Sequence, residues 1–129
     1  MQSSTRKRSR KQGQPPISAR RKSDGSPHGR IVEHPILKFE RTAPVRFFFE
    51  GRPVVGYAGE TIAAALVANG IKVFRHTEKM KRPRGFFCAV GKCSSCLMTV
   101  DGRPSTMVCM EPVRPDVRVE RQVGRGRLL

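Results

Sequence analysis

Four cysteines fall within 22 residues: Cys88, Cys93, Cys96 and Cys109, spaced C-x4-C-x2-C-x12-C. Thiols in such a run can cross-link, hold a structural zinc ion, or hold an iron–sulfur cluster. A disulfide framework needs an oxidising compartment, and no signal-like segment directs the chain to one. Structural zinc usually takes two short-spaced pairs. Only Cys93 and Cys96 make such a pair, and no His lies inside the run. A [2Fe–2S] cluster takes four thiolates, two on each iron, and C-x4-C-x2-C followed by a distant Cys is a spacing that such clusters use. The spacing therefore favours a cluster, with zinc as the alternative. Gly91, Ser94 and Ser95 are small enough to let backbone N–H groups approach the sulfurs. His28, His34 and His76 lie outside the run, so a centre with two His ligands is excluded.

A loop of this kind needs a rigid frame. Val45, Phe47 and Phe49 alternate with Arg46, Phe48 and Glu50, which predicts a strand. Glu50-Gly51-Arg52-Pro53 leads into Val54–Tyr57 and predicts a hairpin. Asp101-Gly102-Arg103-Pro104 repeats that turn chemistry between Leu97–Val100 and Ser105–Val108. Thr61 is placed to cap a helix over 62–68, which Asn69-Gly70 stops. The helix is apolar nearly all round, so it should lie buried across a sheet. Val117 and Val119 alternate with Asp116, Arg118 and Glu120 and predict a last strand. The pattern implies a small α+β domain, with one helix across a mixed sheet of four or five strands.

The chain has 129 residues, 26 of them Lys or Arg and 10 Asp or Glu, for a formal charge of +16. That excess first suggests nucleic acid or an anionic surface. Its distribution weakens the suggestion. Residues 1–30 hold nine basic residues against Asp24 alone, with few apolar side chains beyond Ile17 and Ala19. Such a segment cannot bury enough surface to offset its ordering entropy. A disordered basic tail is expected over 1–30, including Arg6-Lys7-Arg8-Ser9-Arg10-Lys11. The folded domain is expected over 31–121 and a loose end over 122–129. No apolar run approaches the length of a membrane span. Arg20-Arg21 has no apolar stretch after it, so the expected location is the cytoplasm.

The run Gly85-Phe86-Phe87-Cys88-Ala89-Val90-Gly91-Lys92-Cys93-Ser94-Ser95-Cys96, then Leu97–Pro104, then Cys109-Met110-Glu111-Pro112, resembles the β-grasp ferredoxin domain. Within that fold it is similar to the small [2Fe–2S] subunits of heteromeric FAD-dependent amine and amino-acid dehydrogenases. Proline and hydroxyproline dehydrogenases, opine oxidases and hydrogen cyanide synthase belong to that group. It is similar also to the N-terminal domain of the large subunit of sarcosine oxidase, where Arg82-Pro83-Arg84-Gly85 has a counterpart. The resemblance extends over about residues 31–121 and includes His34-Pro35-Ile36-Leu37 and Gly59–Leu66.

The resemblance implies that Cys88, Cys93, Cys96 and Cys109 are the ligands of a [2Fe–2S] cluster. It implies an electron-transfer subunit that does no chemistry on substrate itself. The expected partners are FAD-containing dehydrogenase or oxidase subunits, with FAD in the partner and not in this chain. No specific nucleic acid is expected. Lys72, Arg75, Lys79, Lys81, Arg82, Arg84 and Lys92 crowd the approach to the cysteines. They would offset the negative charge of a thiolate cluster, face solvent, or dock a partner. Two other functions compete. A free-standing ferredoxin is usually acidic, which fits this charge poorly. A zinc-stabilised nucleic-acid-binding protein would want more aromatic side chains for stacking bases. Ser94 stands where many ferredoxin loops have Gly, and its hydroxyl is able to donate to a cluster sulfur.

Overall fold

The computed structural model describes residues 29–31 and 33–126. The basic run at 6–11 and nearly all of the expected tail lie outside them. Two hairpins set the frame. β1 (Pro44–Phe49) and β2 (Arg52–Tyr57) pair antiparallel from Pro44↔Tyr57 to Phe49↔Arg52. Glu50 and Gly51, between them, both have positive φ, at 48° and 77°. That two-residue turn matches the right-handed twist of paired strands. Asp101 and Gly102, at 47° and 78°, do the same between β5 (Leu97–Val100) and β6 (Arg103–Met107). The echo seen in sequence is thus a repeat of geometry. Each turn is only two residues long, however, and the Arg-Pro pair after it already belongs to a strand. Pro53 and Pro104 are tolerated there because β2 and β6 form the two edges of the sheet.

The sheet has five strands in the order β2-β1-β7-β5-β6. β7 (Arg118–Glu120) runs parallel to β1 and antiparallel to β5, so the sheet is mixed. The helix α1 (Ile62–Ala68) packs across it and buries Ile62, Ala63, Ala65, Leu66 and Ala68. Phe47, Met98, Val100 and Val119 meet the helix from the sheet with no exposed surface. One helix over a mixed five-stranded sheet is the α+β architecture that the sequence predicts. The helix begins where expected, with the Thr61 hydroxyl accepting the Ala64 N–H at 3.3 Å. Among the described residues, no helix is long and apolar enough to cross a membrane.

A ribbon that strand alternation did not reveal lies between the helix and the cysteine loop. β3 (Arg75–His76) pairs antiparallel with β4 (Pro83–Arg84), apart from the main sheet. Two-residue strands are too short to show a period of two. Backbone bonds extend the pairing, from Phe74 N–H to the Arg84 carbonyl at 2.8 Å and from Thr77 N–H to the Arg82 carbonyl at 2.9 Å. Phe74 is fully buried and pins the ribbon to the core. Arg121, just after β7, donates from Nε to the Val73 carbonyl at 3.0 Å. Gly85 follows β4 so close to the Lys72 backbone that a Cβ would stand 2.2 Å from its carbonyl oxygen. Only glycine fits there.

Residues 122–126, expected as a loose end, are attached to β6. Gln122 is buried, its Oε1 accepts the Ser105 N–H at 2.5 Å, and Gly126 packs on Pro104. At the other end Arg30 grips Glu60, with Nε donating at 2.9 Å and Nη2 at 2.5 Å, and lies over the Tyr57 ring. Burial by itself would raise the pKa of Glu60. The Arg30 guanidinium, the Tyr57 N–H and the Arg41 charge outweigh burial and hold it below the ordinary value of 4.5. With the folded pKa below the unfolded one, this stabilisation is complete above pH 4.5 and fades as pH falls through the lower folded value. We expect Glu60→Gln to lower Tm near neutrality. The gap to wild type should narrow in thermal melts as pH falls through the lowered folded value and Glu60 takes up its proton.

Candidate metal centre

The fourth cysteine is placed by the helix. The first N–H groups of an α-helix have no partner within it. Here Ile62 N–H donates to the Glu111 carbonyl and Ala63 N–H to the Val108 carbonyl, both at 2.9 Å. The start of α1 therefore clamps the turn that carries Cys109. Met110 and Glu111 N–H groups close that turn on the Met107 carbonyl, at 2.9 and 3.2 Å. Cys109 and Cys96 are both buried, and their thiols lie against each other. Burial pushes the Cys96 thiol up to about 11, against the lowering effect of the Cys109 N–H.

The other two thiols lie in the loop before β5, half-buried. Cys88 Sγ accepts N–H groups from Val90, Cys93 and Lys92, the last two at 3.3 and 3.4 Å, and the Cys93 thiol lies beside it. These donors lower the Cys88 thiol to about 6. The loop reaches this shape through left-handed backbone at Ala89 (φ 60°) and Gly91 (φ 70°). A Cβ at Gly91 would stand 3.0 Å from Met110 Cγ, so the loop also needs glycine to lie against the Cys109 turn. Arg75, on β3, donates from Nη1 to the Ser94 carbonyl at 3.1 Å and fastens the ribbon to this loop. Arg75→Met should raise amide exchange over residues 91–96 about fivefold, as expected for losing one hydrogen bond of about 1 kcal/mol. Mass-spectrometric exchange checks it, and an unchanged rate would show the contact to be idle.

The four cysteines of the sequence motif are thus brought together as two thiol pairs, one buried and one near the surface. Among the described residues, no three His, Cys, Asp or Glu side chains gather round a single point as one metal site. A binuclear cluster takes two thiolates for each iron. N–H groups aimed at a thiolate are also what a cluster environment supplies. The residues present fit such a cluster. His34 accepts two backbone N–H groups in a turn, and His76 lies on β3, so neither joins the cysteines.

An open cleft of about 760 Å³ runs beside the outer pair, lined by Cys93, Ser94, Phe86, Phe87 and Met107. Of the seven basic residues read from the sequence, Arg75, Arg84 and Lys92 line it; Lys72, Lys79, Lys81 and Arg82 do not. Among the described residues, no carboxylate lines it. Sequence reasoning missed the Arg75 contact and the role of Phe74. Neither residue carries a spacing signal, since both partners are distant in the chain.

A family model described as a 2Fe-2S iron-sulfur cluster binding domain matches residues 42–124. The chain is similar to the hydrogen cyanide synthase subunit HcnA of Pseudomonas aeruginosa, at 36% identity over 93 residues, covering 72% of this chain and 88% of that one. It is similar to sarcosine oxidase subunit alpha of Rhizobium meliloti, at 40% identity over 76 residues, covering 56% of this chain but only 8% of that one. Among solved structures, L-proline dehydrogenase from P. horikoshii matches with a TM-score of 0.56 at 29% identity, over 66% of this chain and 16% of that chain.

Proposed function

Because the chain belongs to the 2Fe-2S iron–sulfur cluster binding domain family, we propose that it is the electron-transfer subunit of a heteromeric FAD-dependent amino-acid or amine dehydrogenase or oxidase. Cys88, Cys93, Cys96 and Cys109 are the ligands in this reading. When bound, a [2Fe–2S] cluster carries one electron at a time between a flavin and a second acceptor. The observation that carries the reading is the arrangement of the thiols: Cys96 and Cys109 in the core, Cys88 and Cys93 half-buried, with Cys93 lining an open cleft.

The protein's own residues then have distinct tasks. The buried pair fixes the site to the helix and keeps water from that side. Cys93 of the outer pair faces the cleft, where an electron has the shortest path to a partner. The N–H groups on Cys88 Sγ hold its negative charge without a proton. Arg75, Arg84 and Lys92 place positive charge beside the thiolates and favour the reduced, more negative state of the centre. Substrate oxidation and FAD belong to the partner subunit, a reading supported by relatives that are subunits of a synthase and an oxidase. The cytoplasm is the proposed location.

Anaerobic purification tests this. The protein should be brown-red, with about two irons and two sulfides per chain and a spin-half signal on reduction. An FAD-containing protein should copurify in fixed ratio. Colourless protein holding zinc would end the reading. A loaded cluster with no flavoprotein would point instead to a free carrier.

A further inference from the structure

Large apolar side chains crowd the surface round the outer thiol pair. Phe87 is 82% exposed, Val90 61% and Met110 59%. Exposed patches of this kind, rimmed by polar groups, mark surfaces that another protein covers. They form one surface, since Gly91 links Val90 to Met110 and Met107, and Met107 and Phe87 line the same cleft. Phe86 extends it. Besides the cleft, Phe86 lines a second cavity of about 350 Å³ with Ile31, Phe39 and Arg41, from the arm that precedes β1. That arm lies before the span matched by the family model. The apolar band therefore runs from the cysteine loop to Ile31 and Phe39. Among the described residues its charge is mostly positive. Arg75, Arg84 and Lys92 border the cleft and Arg41 the second cavity, while the one carboxylate there, Glu60, is already held by Arg30.

We propose that this band is the docking face for the flavin-carrying subunit, whose complementary surface is apolar at its centre and rimmed with carboxylates. The inference rests on the function proposed above. Phe87, the most exposed aromatic side chain of the band, is the anchor, because large aromatics dominate binding at interfaces. The arginines and Lys92 set the salt dependence.

The test uses the full-length tagged chain, purified anaerobically from its own cells, with bound FAD assayed in the captured protein. Phe87→Glu should reduce captured FAD at least about tenfold while cluster absorbance stays at the wild-type level. Arg84→Glu should also reduce capture, most strongly at low salt. Val123→Glu, at an exposed apolar residue outside both cavities, should leave capture unchanged. Full capture by a cluster-loaded Phe87→Glu chain would overturn the docking face and leave the electron-transfer reading standing. No FAD with the wild-type chain would overturn both. Self-association abolished by Phe87→Glu, with no flavoprotein captured, would assign the band to a second copy.

Discussion

Cys109→Ala should yield a nearly colourless protein, with iron and sulfide at about a tenth of the wild-type level or less and no spin-half signal on reduction. Cys109 lies 13 positions beyond Cys96 in the chain, yet the two thiols are neighbours in the core. Without it one iron would keep a single protein thiolate. The vacated space is buried, so no other side chain or ready supply of water replaces the ligand. The backbone round the site does not depend on the thiol, because the Val108 and Glu111 carbonyls are held by the start of α1. The variant should therefore fold, with the far-ultraviolet circular dichroism of the wild-type apoprotein. Loss of colour with retained fold separates a ligand from a packing residue. The same outcome is expected for Cys88, Cys93 and Cys96. Wild-type iron content in any of the four variants would remove that residue from the ligand set.

Phe74→Ala should destabilise the domain by about 3–5 kcal/mol, the range for deleting a fully buried phenylalanine. A domain of this size has a total stability of roughly 5–15 kcal/mol, so the variant sits near the edge of folding. Phe74 has no exposed surface, lies beside Phe86, and is the residue through which the β3–β4 ribbon enters the core. Its loss frees the ribbon from below, while Arg121 and the backbone bonds to β4 still hold it at the sides. The Arg75 contact to Ser94 then loses its foundation. Two measurements follow. The urea midpoint should fall with an unchanged slope. The iron–sulfur chromophore should bleach faster in the presence of a chelator than in wild type. Phe74→Leu keeps most of the volume and should recover most of both losses. A Phe74→Ala protein with a wild-type midpoint would show that the ribbon contributes little to the core.

The parts of the fold that were legible are those with local causes. A period of two in Val45–Glu50, a Glu-Gly and an Asp-Gly turn, and a threonine before an apolar heptad each fix backbone conformation within a few residues. The hairpins and α1 accordingly form where the residues say. The β3–β4 ribbon was not legible, because its strands are two residues long and their pairing is dictated by Phe74 packing and by the close approach of Gly85 to Lys72. The Gln122 anchorage was hidden for the same reason. A polar residue near a chain end reads as solvated until a backbone N–H 17 residues away turns out to need an acceptor.

The site divides along the same line. Spacing alone singled out four thiols and favoured a [2Fe–2S] centre over zinc. Sequence could not say which thiols pair, which pair is buried, or which of seven nearby cations border the cleft. Those depend on how the turn at 107–111 docks under α1 and how the ribbon folds back on the loop. The proposed ligands are nominated by residue type and spacing, which are properties of the chain. Burial, charge placement and the apolar band round Phe87 are properties of distant segments brought together, and only the packed structure decides them.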